Sequence, residues 1–191
     1  MRVAMGVDLA GSSARPTGIC FIDEELIAET SIVYEDREIL DLALSRKPDV
    51  IAIDAPLSLP KAGRFRECDR KLLRRGIKLF PPTLGPMRKL TLRGIALKEI
   101  LEKRGFTVIE VFPGGAQDIL GIPRKSKGVS RLAESLRALG IKNIPPRASP
   151  DELDAVTAAY VGILYLAGEV EIVSGRDGEI VMPRKTKEAD R

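Results

Sequence analysis

The 191-residue sequence predicts a single α/β domain built on an open, mixed sheet. Three observations carry this. The chain opens with three strand-like segments joined by short turns, a meander rather than a βαβ unit. Two apolar, β-branched runs, Val3-Ala4-Met5-Gly6-Val7 and Val50-Ile51-Ala52-Ile53, each end in an aspartate, Asp8 and Asp54. Helical periodicity fills much of what remains.

The first run is followed by the small-residue turn Ala10-Gly11-Ser12-Ser13 and reads as a buried strand. Thr17–Ile22 and Glu25–Val33 read as the second and third strands, with Asp23-Glu24 short enough for a hairpin turn. Glu35–Arg46 carries Ile39, Leu40, Ala43 and Leu44 at helical spacing, and Pro48 stops it. Val50–Asp54 is the fourth strand and Phe106–Phe112 the fifth. The segment between them is far longer than one crossover helix requires. It predicts two helices, Arg66–Arg75 and Arg88–Arg104, around a Pro/Gly loop at residues 80–86. Pro113-Gly114-Gly115 opens a short helix and matches neither the P-loop nor the dinucleotide fingerprint. Another amphipathic helix spans Ser130–Leu139. Ser149 and Pro150 then mark a strong helix start, as N-cap and first residue, and Gly168 marks its end. A hairpin follows over about 169–183, turning at Asp177-Gly178, and a charged, frayed tail is expected from Pro183.

Charge is unevenly placed. Lys61–Arg93 holds eleven Lys and Arg against two acids, Glu67 and Asp69, although the whole chain carries only +4. A basic insertion over about 61–104 is therefore expected to meet phosphates, against the commoner alternative of a solvated, salt-bridged helix face. Aromatic residues make up only 4% of the chain, which argues against a base-stacking platform. The sequence has no signal peptide and no membrane-spanning run, so a cytoplasmic protein is expected. Cys20 and Cys68 have no metal-ligand spacing and read as buried thiols. A charged fraction of 30%, with Asn143 and Gln117 the only side-chain amides, resembles a thermophile's composition.

There is no histidine. This removes Ser-His-Asp and Cys-His nucleophiles, histidine-ligated zinc and a histidine general base. Carboxylates, lysines, hydroxyls or metal must carry any chemistry. If the two aspartate-tipped strands are parallel neighbours, Asp8 and Asp54 meet at the carboxyl edge of the sheet, where open α/β sheets bind ligands. Adjacent carboxylates repel unless they share a proton or a cation, and hard divalent cations favour such ligands. Asp151 and Asp154 share one face of the last helix's first turn. The helix dipole accounts for Asp151 and Glu152, but less well for Asp154 in its apolar setting.

This order of elements resembles the ribonuclease H fold, a five-stranded sheet of order 3-2-1-4-5 with helices on both faces. More narrowly, Gly6-Val7-Asp8-Leu9-Ala10-Gly11-Ser12, Ile51-Ala52-Ile53-Asp54-Ala55-Pro56, Arg66-Glu67-Cys68-Asp69, Ile109-Glu110-Val111-Phe112-Pro113 and Asp151-Glu152-Leu153-Asp154-Ala155 are similar to an uncharacterised prokaryotic family described as predicted nucleases. The Asp-x-x-Asp motif also resembles Holliday-junction resolvases. One departure is Asp54, where ribonuclease H proper and the resolvases carry glutamate. The resemblance implies two-metal phosphodiester hydrolysis with two Mg²⁺ or Mn²⁺ about 4 Å apart. It implies Asp8 bridging both ions, Asp54 on one, and Asp154 on the other with Asp151 or Glu110. Arg64, Arg66, Arg70, Arg74, Arg75, Arg88 and Arg93 would grip the backbone of a structured DNA or RNA. Two alternatives stand beside it: a non-catalytic nucleic-acid-binding protein of the same fold, and a small-molecule phosphotransferase or ATPase. The latter normally needs two copies of the fold. A homodimer stays open.

Overall fold

A computed structural model describes residues 1–185. The strands are β1 (Val3–Asp8), β2 (Thr17–Asp23), β3 (Ala28–Val33), β4 (Val50–Asp54), β5 (Val108–Val111), β6 (Val170–Gly175) and β7 (Gly178–Pro183). The helices are α1 (Asp36–Arg46), α2 (Glu67–Arg74), α3 (Gly85–Lys103), α4 (Pro113–Leu120), α5 (Val129–Ala138) and α6 (Pro150–Ala167), with one 3-10 turn at Lys125–Lys127.

All seven strands form one sheet, in the order β3-β2-β1-β4-β5-β7-β6. The expected five-strand order is present, but the sheet is larger than expected. The terminal hairpin does not stand apart: β7 runs parallel to β5, with Val181 opposite Val111, and extends the sheet. Pro183 is correspondingly the buried last residue of β7 rather than the start of a frayed tail. Arg184 is held as well, donating from Nε to the Val170 carbonyl at 3.0 Å, and the part of that expectation beyond residue 185 lies outside the described residues.

The third strand starts later than its β-propensity implies. The Asp23 carboxylate accepts hydrogen bonds from the Glu25 and Ile27 amides, and Leu26 adopts a left-handed φ of 60°. The turn therefore takes four residues, and pairing begins at Ala28.

Strand alternation sends apolar side chains to both faces. Met5, Val7, Ile51 and Ile53 pack with Ile39 and Ala43 of α1 and Leu97 and Leu101 of α3. Ala4, Val50 and Ala52 pack with Ala158 and Val161 of α6. The long segment between β4 and β5 is thus two things. Its second helix, α3, is a core element, whereas α2 packs on the terminal hairpin through Cys68, Leu72, Val173 and Ile180. Both cysteines are buried and unpaired. No described helix is long and apolar enough to cross a membrane.

Gly6 and Gly18 let the first turns of α6 lie close to the sheet. A Cβ at Gly6 would collide with the backbone at Ala155 and Ala159, and one at Gly18 with the carbonyl of Asp151. Without side chains at these positions, the first turns of α6 rest directly on β1 and β2.

Candidate metal centre

Asp8 and Asp54 are register partners at the ends of the parallel neighbours β1 and β4. They point to the face that α6 covers, as Gly6 and Ala52 do two residues earlier. The α6 N-terminus is fixed by a reciprocal capping box. Ser149 Oγ accepts from the Glu152 amide at 3.2 Å, and Glu152 Oε2 accepts from the Ser149 amide at 2.8 Å. Thr30 Oγ1 donates to Glu152 Oε1 at 2.7 Å, which ties this turn to β3. One turn on, Asp154 comes down onto the strand ends. One carboxylate oxygen from each of Asp8, Asp54 and Asp154 lies within 4.8 Å of the others.

The structure places the other expected site residues differently. Asp151 stands outside that three-acid cluster and is linked to it through Lys125, at 3.8 Å. Glu110 is turned away. The register aligns Asp54 with Val111 and Ile53 with Glu110, so Glu110 falls on the opposite face of the sheet. There it is buried and paired with Arg66, whose Nη1 and Nη2 donate to Glu110 at 2.7 and 2.6 Å. Arg66 also donates to Asp69 at 3.0 and 2.8 Å and to Ser58 Oγ at 3.0 Å, and Glu110 accepts from the Leu57 amide at 2.8 Å. Arg66 is 1% exposed, so it clamps α2 to the exit of β4 and is not available to a nucleic-acid backbone.

Arg93 is likewise largely internal. It pairs with Asp36 at 2.8 Å and donates to the Ala10 carbonyl at 2.7 Å. Arg75 pairs with Glu171 on β6. Arg64, Arg70, Arg74 and Arg88 are exposed and make no ion pair among the described residues.

Two residues at the cluster carry no motif in the sequence. Lys125, on the 3-10 turn, places Nζ 2.7 Å from Asp154 Oδ2 and 3.7 Å from Asp8 Oδ2. Gln117, on α4, is buried and donates from Nε2 to Asp154 Oδ1 and to Thr157 Oγ1, both at 3.0 Å. Thr157 Oγ1 in turn donates to the Leu153 carbonyl, which leaves its lone pair for Gln117. Gln117 is the chain's only glutamine, and its rarity was the single available signal.

The electrostatics follow from this crowding. Burial, then repulsion from Asp154, pushes the Asp8 carboxyl up to about 7 despite the nearby Lys125. Burial and the Asp8 and Asp154 charges push Asp54 well above the usual carboxylate range. Burial disfavours the Lys125 ammonium, but Asp8 and Asp154 outweigh it and hold the lysine above its ordinary value. Three hard oxygen donors with more negative charge than one lysine neutralises fit Mg²⁺ or Mn²⁺. These acids and Lys125 also line a chamber of about 680 Å³ that continues between Phe80, Met87, Leu90 and Phe112.

A family model described as "Protein of unknown function (DUF429)" matches residues 6–179. The chain belongs to the DUF429 family. Two solved structures of Thermus thermophilus RuvC are similar to this DUF429 chain. One is 14% identical, with a TM-score of 0.51, and covers 93% of this chain and 99% of RuvC. The other, RuvC in complex with Holliday junction substrate, is 13% identical, with a TM-score of 0.56, and covers 94% and 99%. At that identity the likeness is one of fold: this DUF429 member has a RuvC-like, ribonuclease H-type architecture. No curated protein sequence matches it.

Proposed function

We propose that this protein is a divalent-metal-dependent nuclease that hydrolyses phosphodiester bonds in structured nucleic acid. The observation that carries it is the convergence of Asp8, Asp54 and Asp154 from two parallel strands and a helix start. The RuvC-like fold supports it, and one of those RuvC structures holds a Holliday junction. Branched DNA is therefore the first substrate to test.

Asp8, Asp54 and Asp154 would hold Mg²⁺ or Mn²⁺. The bound metal would supply a nucleophile at neutral pH and stabilise charge on the leaving oxygen. This chain's own groups do the rest. Gln117 fixes the Asp154 carboxylate through Oδ1, while Oδ2 takes the Lys125 ammonium. Lys125 supplies a positive charge where the substrate phosphate would lie close to three acids. The Arg66–Glu110–Asp69 cluster holds the β4 exit and α2 in one arrangement. Arg64, Arg70, Arg74 and Arg88 are exposed in the basic segment and would be available to the backbone.

Cleavage of a four-way DNA junction in Mn²⁺ tests this. Wild type should cleave, and Asp8→Asn should lose about two orders of magnitude or more, the scale of removing one charge-stabilising group from an active site. Equal cleavage by both would overturn it. A second interpretation draws on Lys125: its ammonium already neutralises part of the acid cluster, as in a protein that binds nucleic acid without cutting it. Salt-sensitive junction binding with no cleavage in Mg²⁺ or Mn²⁺ would favour that alternative.

A further inference from the structure

The chamber beside the acids is larger and more apolar than a phosphodiester backbone needs. Backbone contacts require cations and amides, whereas this cavity of about 680 Å³ is of the size that holds a small organic ligand. Leu79, Phe80, Met87, Leu90 and Phe112 supply its apolar walls. The chain has only five phenylalanines, and two of them meet here. Phe80 is 73% exposed, an unusual setting for a phenylalanine in a basic segment. The Arg124 guanidinium lies 5.3 Å from the Phe112 ring centroid, its charge paired with Asp118 at 2.6 Å, so it adds a flat, partly neutralised surface. Exposed Lys78 and half-buried Lys125 line the same space and complement a phosphate. Flat walls, lysines and an acid cluster in one cavity match the parts of a nucleotide: base, phosphate and scissile ester.

We propose, building on the nuclease assignment, that this chamber holds one unpaired nucleotide of the substrate strand. Its base stacks on Phe80 and its phosphate faces Asp8, Asp54 and Asp154. A base inside a duplex stack cannot enter such a cavity, so the nucleotide at the cleaved bond must be extrahelical or single-stranded. The substrate class narrows to junctions, bulges, loops and single strands. The low aromatic content does not oppose this, because one pocket needs only the aromatics that converge on it.

The chain has no tryptophan, so Phe80→Trp places a single fluorophore in the chamber. The indole emission would be followed, with Ca²⁺ as the divalent ion, during titration with a duplex carrying one unpaired thymidine. The comparison is the same duplex with an abasic residue at that place. The expected result is quenching and about tenfold tighter binding of the thymidine-bearing duplex, the scale of one stacked base. Phe80→Ala, followed by anisotropy of labelled duplexes, should lose that preference while keeping the abasic duplex's affinity. Equal affinity for the two duplexes, unchanged emission on binding, or a preference that survives Phe80→Ala would overturn the proposal. Free thymidine 5′-monophosphate binding more tightly than the duplex would also overturn it, in favour of a nucleotide-binding site. These are binding measurements: junction cleavage without a base preference would remove only this inference, and a base preference without cleavage only the nuclease assignment.

Discussion

The Lys125 ammonium lies 2.7 Å from Asp154 Oδ2. It stands close to where a divalent cation would be drawn, with Asp8 at 3.7 Å and Asp151 at 3.8 Å. Lysine and metal therefore compete for the same charge. Unit charges 4 Å apart interact by roughly 4 kcal/mol at an effective dielectric of 20. Lys125 is 41% exposed and can swing away, so the realised competition is smaller. Lys125→Ala should tighten Mn²⁺ binding by roughly tenfold, about 1.4 kcal/mol, as read by calorimetry. It should also lower the thermal stability of the metal-free protein, because three acids then lose their counter-charge.

Asp8 makes metal-free stability depend on pH. Its carboxyl is raised from 3.8 to about 7 in the folded protein. A folded-state pKa above the unfolded value favours folding while the proton is bound. That contribution is complete below about pH 4 and is lost as pH rises through about 7. In urea unfolding without divalent ions, wild type should lose stability relative to Asp8→Asn across that window. Mn²⁺ should reverse the loss in wild type alone. A difference between the two proteins that does not change with pH would count against this electrostatic account.

Much of the fold was legible because its signals are local. The aspartate-tipped strands, the N-cap at Ser149 and the stop at Gly168 are encoded within a few residues each. The convergence of Asp8, Asp54 and Asp154 is not local: it needs the strand order, which only the resemblance to the ribonuclease H fold implied. Glu110 was misplaced because its face depends on the β4–β5 register, and a one-residue shift exchanges the faces. Arg66 looked like part of a basic surface, since its partner Glu110 is 44 residues away. Lys125 sits in a run of charged and small residues with no periodicity, so nothing local marks it as facing the acids.

The buried and exposed arginines should separate cleanly. Arg66 lies between Glu110 and Asp69, and removing one partner of a buried ion cluster typically costs about 3–5 kcal/mol. Arg66→Ala should show that loss in urea unfolding. Arg64→Ala, Arg74→Ala and Arg88→Ala should each stay within about 0.5 kcal/mol of wild type. If they meet phosphates, each should reduce the salt dependence of junction binding by about one unit of slope.

Gly6 tests the close approach of α6. A methyl group there would press into the backbone at Ala155 and Ala159, which no side-chain rotation relieves. Gly6→Ala should destabilise the fold by about 3 kcal/mol, at the upper end of overpacking. It should also weaken Mn²⁺ binding, because it lifts the turn that carries Asp154. Full stability in Gly6→Ala would mean that α6 sits farther from the sheet.

The most direct measurement is a titration of Mn²⁺ into wild type, Asp8→Asn and Asp54→Asn, following free Mn²⁺ by its paramagnetic signal. It needs no choice of substrate. Binding by wild type that falls at least about tenfold in both variants is the predicted result, since each removes one anionic ligand from the cluster. Equal binding by all three proteins, or none by any, would contradict a metal centre at Asp8, Asp54 and Asp154.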